Sequence, residues 1–582
     1  MRILLATLLF GTGCAVAEAP PIQLDPGAAL ATRVPEAWPY SLRAQPVRST
    51  GGMVVTDAPL ATDVGVQVLR DGGNAIDAAV ASAFALSVVY PEAGNLGGGG
   101  FLVLRTVRGD VATLDFREKA PLAATRDMYL DEAGEPTALS LIGHLASGVP
   151  GSVAGLWEAH ARYGSRPWAE LLAPAIRLAE EGFTVDSAFA ESVVDEAERL
   201  RRFPASAALF LPGDEPLRAG TTWRNPELAA VLRRVAQAGP SGFYEGETAD
   251  LIVAEMQRGG GLITHQDLQR YTARWREPIR FVYRSHEVLA MPPPSSGGIT
   301  LALIANLLEE WDLRGVGWHT TRHLHLQAEA MRRAFADRNH YLGDPDFVTI
   351  PRERLLSKSY ARERAESISV SRATPSTAVT PGAGPDRESD HTTHLSIVDA
   401  AGNAIALSTT INSLYGSAVT VAGAGFLLNN EMDDFTAKPG VPNDYGLIQG
   451  EANAIAPEKR MLSAMTPVIV TSPSGQLLMV SGARGGPRII TAVYQVLSNV
   501  IDFDMAVSVA VNVPRTHHQH LPDVLYFERD GLLSTQIRPL EQLGHDVRPF
   551  NGYIGNAPTI LRAGQTWLGF ADPRQGGKAG GT

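Results

Sequence analysis

The chain has 582 residues, 50 basic against 62 acidic side chains for a formal charge of −12, and a single cysteine. That length can bury a sizeable core, as one large domain or a few ordinary ones, while the acidic balance argues against a nucleic-acid groove or a polybasic membrane patch. One cysteine excludes an internal disulfide and any zinc site built on two or more thiolates.

Met1-Arg2, the apolar run Ile3 to Phe10 and the small residues through Ala19 have the layout of a secretory signal peptide. The run is too short to span a membrane, which takes about 20 apolar residues. Ala15-Val16-Ala17 fits cleavage after residue 17. Cys14, in Gly11-Thr12-Gly13-Cys14, has two readings: a passenger lost with the signal, or the lipidated cysteine of a bacterial lipobox. Either way the mature protein is expected to be exported, to a bacterial periplasm, with a lipid anchor through Cys14 on the second reading. Residues 20–50 read as a tether or wrapping segment.

Pro59 opens a predicted helix through Arg70, closed by Gly72-Gly73. Residues 75–90 form an apolar run containing Asp77 and Ser82, and read as a buried core helix. The glycine run Gly94-Asn95-Leu96-Gly97-Gly98-Gly99-Gly100 follows. No Gly-Lys-Ser/Thr completes a phosphate loop there, and the run precedes a strand, so it reads as close backbone packing. Strands are predicted at 101–106 and 111–116, and residues 150–345 read as mostly helical around a turn cluster at 292–298. Residues 371–390 lack a buried pattern and read as a flexible linker. Strands at 394–399 and 404–411, a hairpin at 467–471 and 476–481, and a helix from Pro487 to about Val500 complete the pattern.

At the linker-to-strand junction the chain reads Asp390-His391-Thr392-Thr393-His394. A hydroxyl residue delivered to the start of a strand is what an N-terminal nucleophile needs: once the chain cuts itself there, the freed α-amine, pKa near 8, serves the hydroxyl as base. Threonine is common at strand starts, so spacing alone does not establish this.

Motifs along nearly the whole mature length resemble the gamma-glutamyltranspeptidases. They include Gly72–Ala79, Gly94–Phe101, Asp115–Glu118, Gly148–Val153, Met291–Gly298, Tyr341–Pro345, Thr392-Thr393-His394, Leu427–Phe435 and Gly485-Gly486. The resemblance implies a layered α/β fold, the four-layer αββα sandwich of N-terminal nucleophile hydrolases. It implies self-cleavage at His391-Thr392, giving a large subunit 18–391 and a small catalytic subunit 392–582. It puts the nucleophile on Thr392, an assisting threonine on Thr410, and the oxyanion hole on Gly485 and Gly486. Pro487 removes the next backbone donor, so only the pair counts.

By the same resemblance, Arg117 grips the donor α-carboxylate, through a planar fork suited to both oxygens. Glu431 and Asp434, with Asn412, hold the α-ammonium; cation and anions are expected to stand apart. The family's two adjacent serines become Ser463 and Ala464 here, so one hydroxyl for the carboxylate is missing. Residues Lys438–Gly450, including Tyr445, resemble a lid loop. The implied activity is γ-glutamyl transfer from glutathione and related compounds to water, amino acids or dipeptides through a Thr392 ester, without metal or organic cofactor. The alternative is a glutaryl or cephalosporin-type acylase of the same fold. His517-His518-Gln519-His520 invites a metal reading, but adjacent histidines in a loop rarely converge on one ion.

Overall fold

The computed structural model describes residues 32–380, 392–441, 443–444 and 446–582. The export segment with Cys14, linker residues 381–390, His391 and Tyr445 lie outside the described residues. Two seven-stranded sheets carry the fold, and every pairing within them is antiparallel. The first runs, edge to edge, Lys578–Gly581, Met53–Thr56, Thr393–Val398, Ala404–Thr410, Gly99–Arg105, Val111–Phe116, Arg274–Arg276. The second runs Val47–Ser49, Thr566–Phe570, Thr559–Ala563, Leu477–Ser481, Val468–Thr471, His286–Ala290, Ile279–Tyr283.

Side chains alternate across a strand, so each strand of the first sheet serves two interiors. Leu395, Ile397, Ile405 and Leu407 pack into one core with the helix Ala75–Val89. Val398, Ala404, Ala406, Phe101 and Val103 enter the other, with Ile469, Val480 and Ile560 of the second sheet. The helices Gly297–Leu308 and Arg488–Ile501 add their apolar residues to that same core. The order is therefore helices, sheet, sheet, helices: the expected αββα sandwich.

The helix Ala75–Val89 is buried along its whole length. Asn74 caps it by accepting the N–H of Asp77, whose carboxylate accepts the N–H of Asn74 in return. The glycine run is close backbone packing, as expected. A Cβ on Gly98 would lie 2.0 Å from the Thr410 carbonyl oxygen, and one on Gly100 2.3 Å from that of Ser408.

Two expectations need adjustment. The stretch 150–345 is mostly helical, as expected, but it also holds the strands Arg274–Arg276, Ile279–Tyr283 and His286–Ala290. Ile279, Phe281 and Tyr283 are buried while Arg280 and Val282 are exposed, the period of a strand at a sheet edge. Residues 371–380 are mostly exposed, as their composition suggests, but they are tied down: the backbone N–H groups of Ala373, Thr374 and Ser376 donate to Leu543 O (2.7 Å), Glu329 Oε1 (3.0 Å) and Asp523 Oδ2 (2.7 Å). Those partners are remote in sequence, so local composition did not reveal them.

Candidate active site

Thr392 directly precedes the strand Thr393–Val398 near the middle of its sheet and is 5% exposed. The register pairs Thr393 with Thr409, so one step further sets Thr392 beside Thr410. The N–H of Asn412 donates to Thr410 Oγ1 at 2.8 Å, and Asn95 Nδ2 donates to the Thr410 carbonyl at 2.9 Å. Asn412 has φ +72°, a left-handed conformation that asparagine tolerates better than most residues. Its Nδ2 donates to Asn430 O at 3.0 Å.

Gly485 and Gly486 sit just before the helix Arg488–Ile501, at φ +128° and +53°. Their carbonyls accept the first helical N–H groups, of Arg488 and Ile489, each at 3.1 Å. Among the described residues no acceptor takes the N–H of either glycine. Two donors at the positive end of a helix suit an oxyanion.

Arg117 is 1% exposed and lies among three carboxylates. It pairs with Glu431 at 2.6 Å, with Glu118 at 3.4 Å, and with Asp434. Burial opposes its charge, yet Glu431, Glu118 and Asp434 together hold the guanidinium more firmly protonated than an ordinary arginine. Burial in turn pushes Glu118 up to about 7 against the pull of Arg117. It pushes Glu431 well above the usual carboxylate range, and raises Asp434 too. The expectation that cation and anions stand apart is thus not met: with so little solvent, the guanidinium and the acids compensate one another directly. Asp115 accepts only the backbone N–H of Arg117, at 2.9 Å, and its carboxylate binds Arg276 at 2.7 Å.

Thr392, Thr410, Asn412, Arg117, Glu431, Asp434, Ser463 and Gly486 line a single cavity of about 20 Å³, with Gly485 next to it in sequence. Ala464 and Leu447 line it as well. Asp444 of the loop 438–450 donates its N–H to Asp433 Oδ2 at 2.8 Å. The position of Tyr445 lies outside the described residues.

Against this geometry, residues 61–582 match the gamma-glutamyltranspeptidase family. The chain belongs to that family. It is 44% identical over 581 residues to a glutathione hydrolase proenzyme of Escherichia coli K12, covering 98% of this chain and 97% of that one. It is 45% identical over 536 residues to a glutathione hydrolase proenzyme of Pseudomonas aeruginosa, covering 90% and 93%. Among solved structures, a cephalosporin acylase from Bacillus halodurans superposes with a TM-score of 0.83 at 29% identity, covering 94% of this chain and 99% of that one.

Several residues around this site are not singled out as site residues by the sequence, although Asn429 lies within the Leu427–Phe435 motif. Asp57 accepts Thr393 Oγ1 (2.8 Å), His394 N (3.3 Å) and Asn556 Nδ2 (2.7 Å). The backbone of Asn556 pairs with that of Arg484, next to the glycine pair, by two 3.0 Å bonds. Asp57 thus ties the strand that follows Thr392 to the loop carrying Gly485 and Gly486, and burial pushes its carboxyl up to about 6. Asn429 donates to Gly97 O and Gly148 O, both at 2.8 Å, and accepts Glu431 N at 3.0 Å. Arg338, on the helix Thr321–Tyr341, lines the cavity. Only long-range contacts distinguish these side chains.

His394 is not a base for the nucleophile: burial holds it down at about 3, and its ring faces Ser408 Oγ (2.8 Å) and Ser396 Oγ (3.2 Å). The ring nitrogens of His517, His518 and His520 meet separate partners in Thr491, Asp523 and Ser376. Among the described residues, His325, Glu329 and His545 come close enough to ring one ion. Glu329 is already paired with Arg332 and Arg333, and His325 Nδ1 hydrogen-bonds His545 Nε2 at 2.8 Å, so the site is not organised for a cation.

Proposed function

We propose that the chain is a γ-glutamyltransferase and glutathione hydrolase that makes its own nucleophile. The observation that carries this is the shared cavity: Thr392 heads a central strand beside Thr410, Gly486 and the Arg117–Glu431–Asp434 cluster. In maturation, Thr392 Oγ attacks the His391 carbonyl, the acyl group moves from nitrogen to oxygen, and water hydrolyses the ester. The products are residues up to 391 and a chain beginning at Thr392 with a free α-amine.

In turnover that amine takes the proton of Thr392 Oγ as the oxygen attacks the γ-carbonyl of the donor. The N–H groups of Gly485 and Gly486 receive the oxyanion. The proton passes to the leaving amine, and a γ-glutamyl ester remains on Thr392. Water, an amino acid or a dipeptide attacks the ester next and restores the hydroxyl. Arg117 binds the α-carboxylate, while Glu431, Asp434 and Asn412 take the ammonium. A cavity of about 20 Å³ has room for roughly one water, so the Arg117 ion pairs open around the donor and Leu447 moves aside. The export signal would place this chemistry in a periplasm.

The test is denaturing electrophoresis of purified protein. Two fragments split before Thr392 are expected, replaced by one uncut chain in Thr392→Ala; an uncut wild type defeats the mechanism. The second reading, an acylase for glutaryl amides, draws on Ala464 in the cavity wall, where a hydroxyl for the carboxylate is missing. The acids favour an amine-bearing donor. A clear preference for glutaryl over γ-glutamyl anilide would reverse that choice.

A further inference from the structure

The cavity holds a second buried guanidinium, and it differs from Arg117 in one decisive respect. Arg338 is 1% exposed, in the last turn of the helix Thr321–Tyr341. Its Nε donates to Ser296 Oγ at 2.9 Å, and its Nη1 donates to Asn339 Oδ1 at 2.9 Å. Its Nη2 is buried with no hydrogen-bond partner among the described residues. No carboxylate lies within ion-pair distance of it among those residues, and Asp434 reaches it only as a more distant charge. Arg117, by contrast, has three carboxylates around it.

We propose that Arg338 is a second carboxylate-binding residue of the donor site, its unpartnered Nη2 taking an oxygen of the donor's α-carboxylate alongside Arg117. This rests on the γ-glutamyl reading and adds to it a specificity residue. A buried guanidinium with an unmet donor is unfavourable unless an anion completes it. An incoming carboxylate finds Arg117 already neutralised and Arg338 not. The guanidinium is also held in place. Ser296, which accepts Nε, donates its hydroxyl and its N–H to the Ser463 carbonyl, both at 2.7 Å. Arg338 is thereby fixed against the wall formed by Leu462, Ser463 and Ala464. Burial holds its charge less firmly than usual, down to about 10, with Asp434 opposing the shift. Arg338 stays charged at neutral pH, and a bound carboxylate would hold that charge more firmly.

A purely structural arginine needs only the Nε and Nη1 bonds, so the test must follow the donor's carboxylate. Three anilides serve: γ-glutamyl, with carboxylate and amine; glutaryl, with the carboxylate alone; 4-aminobutyryl, with the amine alone. Each is read as kcat/KM or, if turned over too slowly, as a competitive inhibition constant, for processed wild type, Arg338→Gln and Arg338→Lys. A hydrogen bond to a charged group predicts that Arg338→Gln weakens both carboxylate-bearing donors about ten- to a hundredfold relative to 4-aminobutyryl. Arg338→Lys should recover part of that ratio. An unchanged ratio, whether all three fall together or none does, overturns the proposal. If Arg338→Gln is not cut, Arg338→Lys carries the comparison. If neither is cut, Arg338 belongs to maturation and the proposal fails. A wild type that prefers glutaryl refutes the amine-bearing donor while leaving the Arg338 ratio readable.

Discussion

Replacing Gly485 with alanine tests the oxyanion hole. Its φ of +128° lies where an L-residue is strained by about 1–3 kcal/mol. An ideal Cβ there would stand 3.1 Å from Gly555 Cα, a backbone atom that cannot swing away. Relief must come from rotating φ, which turns the following peptide and with it the Gly486 N–H. Loss of one oxyanion donor lowers kcat about 10²- to 10³-fold, roughly 2.7–4 kcal/mol. KM should change little, because the donor is held by other groups. Gly564 is the control: it has φ +62° with nothing within 4 Å, in the turn between the strands Thr559–Ala563 and Thr566–Phe570. Gly564→Ala carries comparable backbone strain, about 1–2 kcal/mol, and should lower Tm while leaving kcat intact. Initial rates on γ-glutamyl anilide, normalised to cut chain on a denaturing gel, separate the two. A Gly485→Ala kcat within about fivefold of wild type, or an equal loss in Gly564→Ala, refutes the reasoning.

Ala464→Ser restores a hydroxyl to the cavity wall beside Ser463, and part of a charge-assisted bond should lower KM for γ-glutamyl anilide about three- to tenfold. A KM that rises or stays put in steady-state kinetics tells against a carboxylate at that wall. Glu118→Gln probes the acids around Arg117. Burial raises Glu118 from 4.5 to about 7, so its ionised form destabilises the fold fully above pH 7 and not below about 4.5. The Tm of the variant minus that of wild type should therefore increase between pH 5 and pH 8. A difference independent of pH would show that Glu118 does not titrate in that window.

The layered fold was legible wherever hydrophobic pattern and punctuation agreed. Pro59 and Gly72 bracket a helix observed at Pro59–Arg70, and the apolar run after Asn74 is a helix buried on all sides. The strand Ile279–Tyr283 was missed although its period is two, because its outward residues include arginine and it lies among helices. Segment 371–380 was misread because its backbone partners, Asp523, Leu543 and Glu329, are distant in sequence. At the site, motif resemblance reached Thr392, the glycine pair and the acids. It did not foresee that Arg117 pairs with Glu431 and Asp434, since a list of residues carries no distances. Nor did it reach Arg338 or Asp57, whose roles depend on what the fold puts beside them.

The proposed cut before Thr392 would release an amine without taking the molecule apart, and the sheet order explains why. Thr393–Val398 pairs with Met53–Thr56 on one side and with its own hairpin partner on the other. That partner, Ala404–Thr410, pairs with Gly99–Arg105. In the second sheet Val468–Thr471 pairs with His286–Ala290, and Thr566–Phe570 with Val47–Ser49. Both sheets are thus built from strands that lie before and after the cut. Separating them would leave several backbone ladders unpaired and open both cores. The cavity is divided in the same way: Arg117 and Arg338 come from before the cut, while Thr392, Glu431, Asp434 and Gly486 come from after it. Neither piece alone holds both the nucleophile and the guanidinium groups, so the donor site exists only in the interleaved pair.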